Sequence, residues 1–241
     1  MTEEEWLACT DPTPMLVFLS VPGGDNAILE FSAERVSRRK MRLFCVACCR
    51  MVWTHFVEPE VMRAVELSET FADDPTVHSA LCEASRVVND INDEEWFSGF
   101  AGGPTTPGLW DRTAVAWEAS KVTVRPEGVA AKVVIVAGEV DENGPTSQMN
   151  AALLRDILGP LPFSPITLNP TWLTPTVLNL ARAAYEERAL PSGELAPDRL
   201  GVLSDALEEA GCDNEDILNH LRSPGPHVRG CWGLDLLLGK E

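Results

Sequence analysis

The sequence predicts an all-α protein, a multi-helix globular bundle. Apolar residues recur at three- and four-residue spacing in segment after segment, and N-capping residues or prolines stand just ahead of those segments. The stretch from Asp198 to Lys240 adds three short helices with defined stops. With 45% apolar residues in 241, the chain can bury a proper core.

Thr2-Glu3-Glu4-Glu5 has the form of a capping box that opens a short helix through Trp6 and Leu7. Asp11-Pro12-Thr13-Pro14 breaks the chain, and Met15, Leu16, Phe18 and Leu19 begin a second short helix. A loop at 21–25 precedes the longest helix, expected from Ser32 to Phe56, whose apolar face includes Val36, Leu43, Phe44 and Val52. Pro59 starts the next helix, which runs to Phe71. Asp74-Pro75 then opens another, with Leu81, Ala84, Val88 and Ile91 on one face.

Long loops are expected around 98–110 and 159–172. Between them, 122–140 reads as a buried helix with Pro126 in its first turn, although its Val and Ile content also fits a strand. Met149 to Leu158 is a helix stopped by Gly159-Pro160, and Thr174-Pro175 opens one carrying Val177, Ala181 and Tyr185. In the tail, Leu200, Leu203 and Leu207 lie on a helix ended at Gly211. Asp213 or Asn214 caps a second with Ile217, Leu218 and Leu221. After Ser223-Pro224-Gly225-Pro226, a third is expected to carry Val228, Cys231, Leu234 and Leu238 on one face. The whole, 1–241, reads as a single helical domain, with halves 1–97 and 108–241 as the subdivision.

A formal charge of −18, with only 19 Lys and Arg, argues against nucleic acid or an anionic membrane as partner. The basic run Arg35, Arg38, Arg39, Lys40, Arg42 and Arg50 reads as a solvated helix face paired with the protein's own acidic surface. No apolar run reaches the length of a membrane span, and the acidic N-terminus lacks a secretion signal. Seven cysteines without a scaffold spacing fit reduced thiols in the cytoplasm.

Four segments resemble an uncharacterised family of bacterial proteins. They are EEWLACTDPTPMLVFL at the start, MRLFCVACCRMVW, LLRDILGPLPFSPITLNPTWLTPTVLNLARAAYEERAL, and LSDALEEAGCDNEDILNHLRSPGPHVRGCWGLDLLLGK. The resemblance implies alanine-rich helices in the middle of the chain and brings no activity, cofactor or catalytic residue. Family members often carry Cys directly after the histidine that matches His220, where this chain has Leu221.

The candidate chemistry is metal binding. Cys45 and Cys48 are three apart on the long helix, and His227 and Cys231 are four apart on the expected third tail helix. Two such pairs would supply the four soft or borderline ligands of a tetrahedral zinc site. Cys49, His55, Cys212 and His220 lie nearby in sequence. Against this, buried cysteines are commonly small core hydrophobes. Cys231 with His227 also has the residue types of a thiol nucleophile and base, but no orienting Asn or Asp is evident. Asp111, Glu118, Asp205 and Glu208 read as solvated surface. Trp6, Trp53, Trp172 and Trp232 read as core anchors, and His220 as a cation at a helix C-terminus. P-loop, GxGxxG, GxSxG and HExxH motifs are missing from the sequence. The expected function is therefore a cytoplasmic, non-enzymatic interaction or accessory protein with a protein partner. A small zinc-binding helical protein is the alternative, and an uncharacterised hydrolase comes third.

Overall fold

Local capping chemistry sets the helix starts in the computed structural model, which describes residues 1–22, 29–31, 36–56, 58–100, 116, 119–121, 146–160, 163 and 166–240. Helix α1 (Glu3–Ala8) carries the full capping box, with the Thr2 hydroxyl accepting from the Glu5 amide and the Glu5 carboxylate accepting from the Thr2 amide. Asp11 caps α2 (Pro12–Leu19), which leads into a short antiparallel pair, β1 (Ser20–Pro22) with β2 (Leu29–Phe31). Ser37 caps α3 (Arg38–Met51). Next come α4 (Pro59–Phe71), a 3₁₀ turn capped by Asp74, and α5 (His78–Phe100). The C-terminal part contains α6 (Thr146–Leu158), α7 (Pro175–Glu186), a hairpin of β3 (Arg188–Ala189) with β4 (Glu194–Leu195), and α8 (Pro197–Glu209). Two short helices finish it, α9 (Glu215–Arg222) and α10 (Trp232–Leu238). Among the described residues the fold is all-α, with two small hairpins.

Four boundaries differ from the sequence reading. Pro12 to Pro14, read as a break, form the first turn of α2, because proline is tolerated where the amide has no helical partner. Helix α5 continues through Phe100, so the first residues expected in the 98–110 loop are helical; residues 101–110 and the ambiguous 122–140 lie outside the described residues. The long helix is α3 alone, and a 3₁₀ turn at Trp53–His55 replaces its expected last turn. The third tail helix begins only at Trp232. Residues 227–231 instead run alongside the second hairpin, where the Leu195 amide donates to the His227 carbonyl at 2.8 Å and Val228 bridges Glu194. Gly230 then turns the chain at φ +96°, a left-handed conformation that a β-carbon disfavours.

Two apolar clusters organise the molecule. The first gathers Trp6, Met15, Phe44, Val65 and Val88 from the N-terminal helices, but also Leu154 and Ile157 of α6. The second joins α7 to α10 through Tyr185, Leu203, Ile217, Leu221 and Trp232. Helix α3 is the axis of the first cluster: every residue from Met41 to Arg50 is buried. A helix enclosed on all sides cannot leave its cations in water, so they must find partners inside. Arg39 reaches Asp73 (2.9 Å) and Asp235 (2.6 Å), and Lys40 reaches Asp235 (2.5 Å). Arg42 donates to Ser68 Oγ at 3.0 Å, and Arg50 pairs with Glu69. The basic run thus serves buried carboxylates, not a solvated face. Arg35 lies outside the described residues, and Arg38 is exposed.

A candidate metal centre

Where the two clusters meet, one acid, two histidines and one thiol converge. Asp156 stands near the end of α6, His220 in the last turn of α9, and His227 and Cys231 on the connection between α9 and α10. Their ligand atoms all lie within 4.8 Å of one another. Three of the four are buried almost completely, with Asp156 and His227 each 3% exposed and Cys231 fully enclosed.

Each side chain is fixed by a second contact. Asp156 Oδ2 accepts from the Val228 amide at 2.9 Å, which leaves Oδ1 facing His227 Nδ1 at 2.8 Å and His220 Nε2 at 3.4 Å. His220 Nε2 is also 3.0 Å from Cys231 Sγ. The His220 ring lies between the edge-on His227 ring (4.9 Å) and the Trp232 indole (4.7 Å). Gly233 lets it approach, since a β-carbon there would stand 3.1 Å from its Cδ2.

Hydrogen-bond accounting assigns the protons. His227 Nε2 faces the Ser223 carbonyl at 3.0 Å, an acceptor only, so it carries hydrogen. Nδ1 then faces another acceptor, Asp156 Oδ1, and a proton or a metal ion must stand between them. Burial disfavours the charged imidazolium, but the hydrogen bond to Asp156 and its charge outweigh that and raise the His227 pKa. His220 moves the other way. Burial above all, with His227 and Lys40 adding to it against the pull of Asp156, lowers its pKa to about 4. Burial and the nearby Asp156 charge push the Cys231 thiol far up, so it donates to a neutral His220. His220 is therefore not the cation expected at a helix C-terminus, because its burial outweighs the helix dipole.

The structure brings together His227 and Cys231 of the sequence-predicted ligands and adds Asp156 and His220. Cys45 and Cys48 lie outside this group. Both sit on α3 in the first cluster, where Cys48 Sγ contacts Asn150 Oδ1 at 3.5 Å and burial raises the thiol pKa. Cys49 is buried there too, and the His55 side chain is outside the description. Cys231 pairs with His220, not with His227. Cys231 Sγ and Asp156 Oδ1 both face the same nitrogen, His220 Nε2, so the three do not form a nucleophile, base and orienting acid, in which the acid holds the other ring nitrogen. The thiol also has no exposed surface, and the imidazole titrates well below neutrality, opposite to what a thiolate nucleophile needs. Of the carboxylates, Asp205 and Glu208 are exposed and pair with Arg222, while Asp111 and Glu118 lie outside the described residues. Trp6, Trp172 and Trp232 are buried anchors, whereas Trp53 is half-buried beneath the Arg50 guanidinium.

Asp156 escapes the sequence reading because one acid among 37 carries no local signal. Comparison with protein-family models, curated proteins and solved structures gave no match. Among the described residues, no helix is long and apolar enough to cross a membrane.

Proposed function

We propose that this is a zinc-binding helical protein whose ion, held by Asp156, His220, His227 and Cys231, has a structural role. The observation that carries this reading is the convergence of four ligand atoms within 4.8 Å in a buried site. Zinc bonds of about 2.0–2.3 Å imply ligand–ligand edges of about 3.3–3.5 Å for one sulfur with nitrogen and oxygen. The separations of 2.8, 3.0 and 3.4 Å around Asp156, His220, His227 and Cys231 lie within about 0.5 Å of those edges. One carboxylate, one thiolate and two neutral imidazoles balance a divalent cation, which leaves no net charge to bury. The supporting contacts also suit a ligand set. The His227 Nε2–H donates to Ser223 O, and the Val228 amide holds the far carboxylate oxygen, which orients both ligands.

All four positions belong to protein side chains, three of them buried and His220 16% exposed, the pattern of a structural site rather than a catalytic one with an open position. This agrees with a non-enzymatic interaction or accessory role toward a protein partner. None of the seven cysteines forms a disulfide, which supports a reducing, cytoplasmic setting.

Chelator-treated protein should take up one equivalent of zinc and release about two protons, one from the Cys231 thiol and one from His227 Nδ1. With cobalt in place of zinc, a thiolate charge-transfer band should appear and vanish in Cys231→Ser. Sub-stoichiometric uptake, or a band that survives this substitution, would refute the assignment.

A further inference from the structure

A second cluster, which adjoins the metal ligands at Lys40, gathers cations in excess. Arg39, Lys40, Arg50, Arg188, Arg229 and Lys240 surround three carboxylates, Glu69, Asp73 and Asp235. Six positive groups thus face three negative ones inside a protein of net charge −18. Glu69 lies in the last turn of α4, and Asp73 lies just beyond its end. Arg50 and Arg188 share a single oxygen of Glu69, and Arg229 reaches Asp73 Oδ2 at 3.0 Å while also lying within the electrostatic reach of Glu69.

The donors are not used up. The Nε–H groups of Arg50, Arg188 and Arg229 are all buried without a hydrogen-bond partner. Buried polar groups in folded proteins nearly always have one. Arg50 is the most enclosed, with its side chain 4% exposed. Its guanidinium lies over the Trp53 ring at 5.0 Å, and one amino group donates to the Pro191 carbonyl at 2.8 Å. Gly193 closes over its stem, since a β-carbon there would stand 2.4 Å from Arg50 Cδ. The guanidinium is therefore held in place before any ligand arrives. Arg188, Arg229 and Lys240 keep 17%, 14% and 29% of their side-chain surface, so solvent reaches part of each.

We propose that the arginines at 50, 188 and 229, gathered around Glu69 and Asp73, form a binding site for a tetrahedral oxyanion, either phosphate or a small phosphomonoester. Three neighbouring guanidiniums with unfilled N–H groups match the several acceptor oxygens of such an anion and its double charge. Glu69 is the internal competitor, because it holds two of the same guanidiniums.

The opposing roles of Glu69 and Arg188 give the test. Phosphate and glycerol phosphate are added, at constant ionic strength against chloride, to chelator-treated and zinc-loaded full-length protein. Phosphate at ten times its Kd should raise Tm by ~3–6 °C over the chloride control. Arg188→Gln should weaken binding at least tenfold, and Glu69→Gln should tighten it by removing the competitor. Phosphorus-31 line broadening on the wild-type protein gives the affinity without any variant. A response to inorganic phosphate alone would bear out a closed site for the free ion. An equal response to glycerol phosphate would bear out one open toward the ester. No shift beyond chloride in both wild type and Glu69→Gln, or an affinity unchanged by Arg188→Gln, overturns the proposal.

Discussion

Gly159 is the residue on which α6 ends and against which the wall of the metal site is built. Its amide donates to the Arg155 carbonyl at 2.8 Å, and its φ of +66° closes the helix in the left-handed conformation. A β-carbon at this position would stand 2.5 Å from Trp232 Cγ and 2.8 Å from both Cδ1 and Cδ2. The same indole packs on the His220 ring at 4.7 Å. Gly159→Ala therefore meets two costs. The left-handed backbone costs about 1 kcal/mol for a residue with a side chain, and pressing a methyl into a rigid ring adds about 1–3 kcal/mol. The expected loss is roughly 2–4 kcal/mol in urea unfolding with chelator present. Gly201→Ala is the control. That glycine sits inside α8 with nothing within 4 Å of its would-be β-carbon, so alanine should stabilise by about 1 kcal/mol. If Gly159→Ala loses no more than the ~1 kcal/mol of the backbone term, the indole is free to swing and does not wall the site.

Acid should weaken the metal-free protein through His220. Its folded pKa of about 4 lies below the unfolded 6.5, so the unfolded chain binds the proton more readily, and stability falls as pH drops from 6.5 toward 4. The full shift is worth about 3 kcal/mol, and His220→Gln should flatten this limb; equal pH slopes in both proteins would sink the attribution. His227 has the opposite sign: its raised pKa adds stability below 6.5, and this is lost as pH rises through the folded value. Asp235→Asn should cost about 3–5 kcal/mol by thermal or urea unfolding, because Asp235 is 1% exposed and is the shared carboxylate of Arg39 and Lys40. A loss under ~1 kcal/mol, the value of an exposed pair, would show that water reaches those cations.

Much of the fold is readable from the chain because its signals are local. Thr2 with Glu5, Pro59, and Thr174 before Pro175 each name a helix start that the structure reproduces, whereas Asp11 before Pro12, read as a break, in fact caps α2. The site is half readable. His227 and Cys231 attract attention as residue types, but their spacing of four suggested a helix. The actual path depends on pairing with a hairpin formed earlier in the chain, at Glu194 and Leu195. The usable warning was Gly230, an expensive residue in a helix but a natural one at a left-handed turn. Gly230 also permits a close approach to α3, where Leu43 Cδ1 would stand 2.8 Å from an added β-carbon. No comparable signal marks Asp156 or His220 as ligands, since their roles arise only when α6 and α9 come together.

Both polar centres lie where the first apolar cluster meets the second, and this placement has a physical reason. Helix α6 belongs to the first cluster, while α9 and α10 belong to the second. Among the contacts that join them are several directional polar ones. Lys40 of α3 donates to the Ile157 carbonyl at 2.9 Å, satisfying a free carbonyl at the end of α6, and to the Gly230 carbonyl at 2.7 Å. Arg39 ties α3 to Asp235 of α10, and Arg50 ties it to the second hairpin at Pro191. Apolar packing tolerates small slips between surfaces, whereas a buried carboxylate must meet its cation at hydrogen-bond distance. The register between the two clusters is thus set by directional groups, and a metal ion shared by Asp156 and the α9–α10 connection acts at the same joint. Loading the ion should therefore protect the α6 and α10 amides from hydrogen exchange together. Protection confined to the 220–231 connection would mean that the ion orders a loop and leaves the joint as it was.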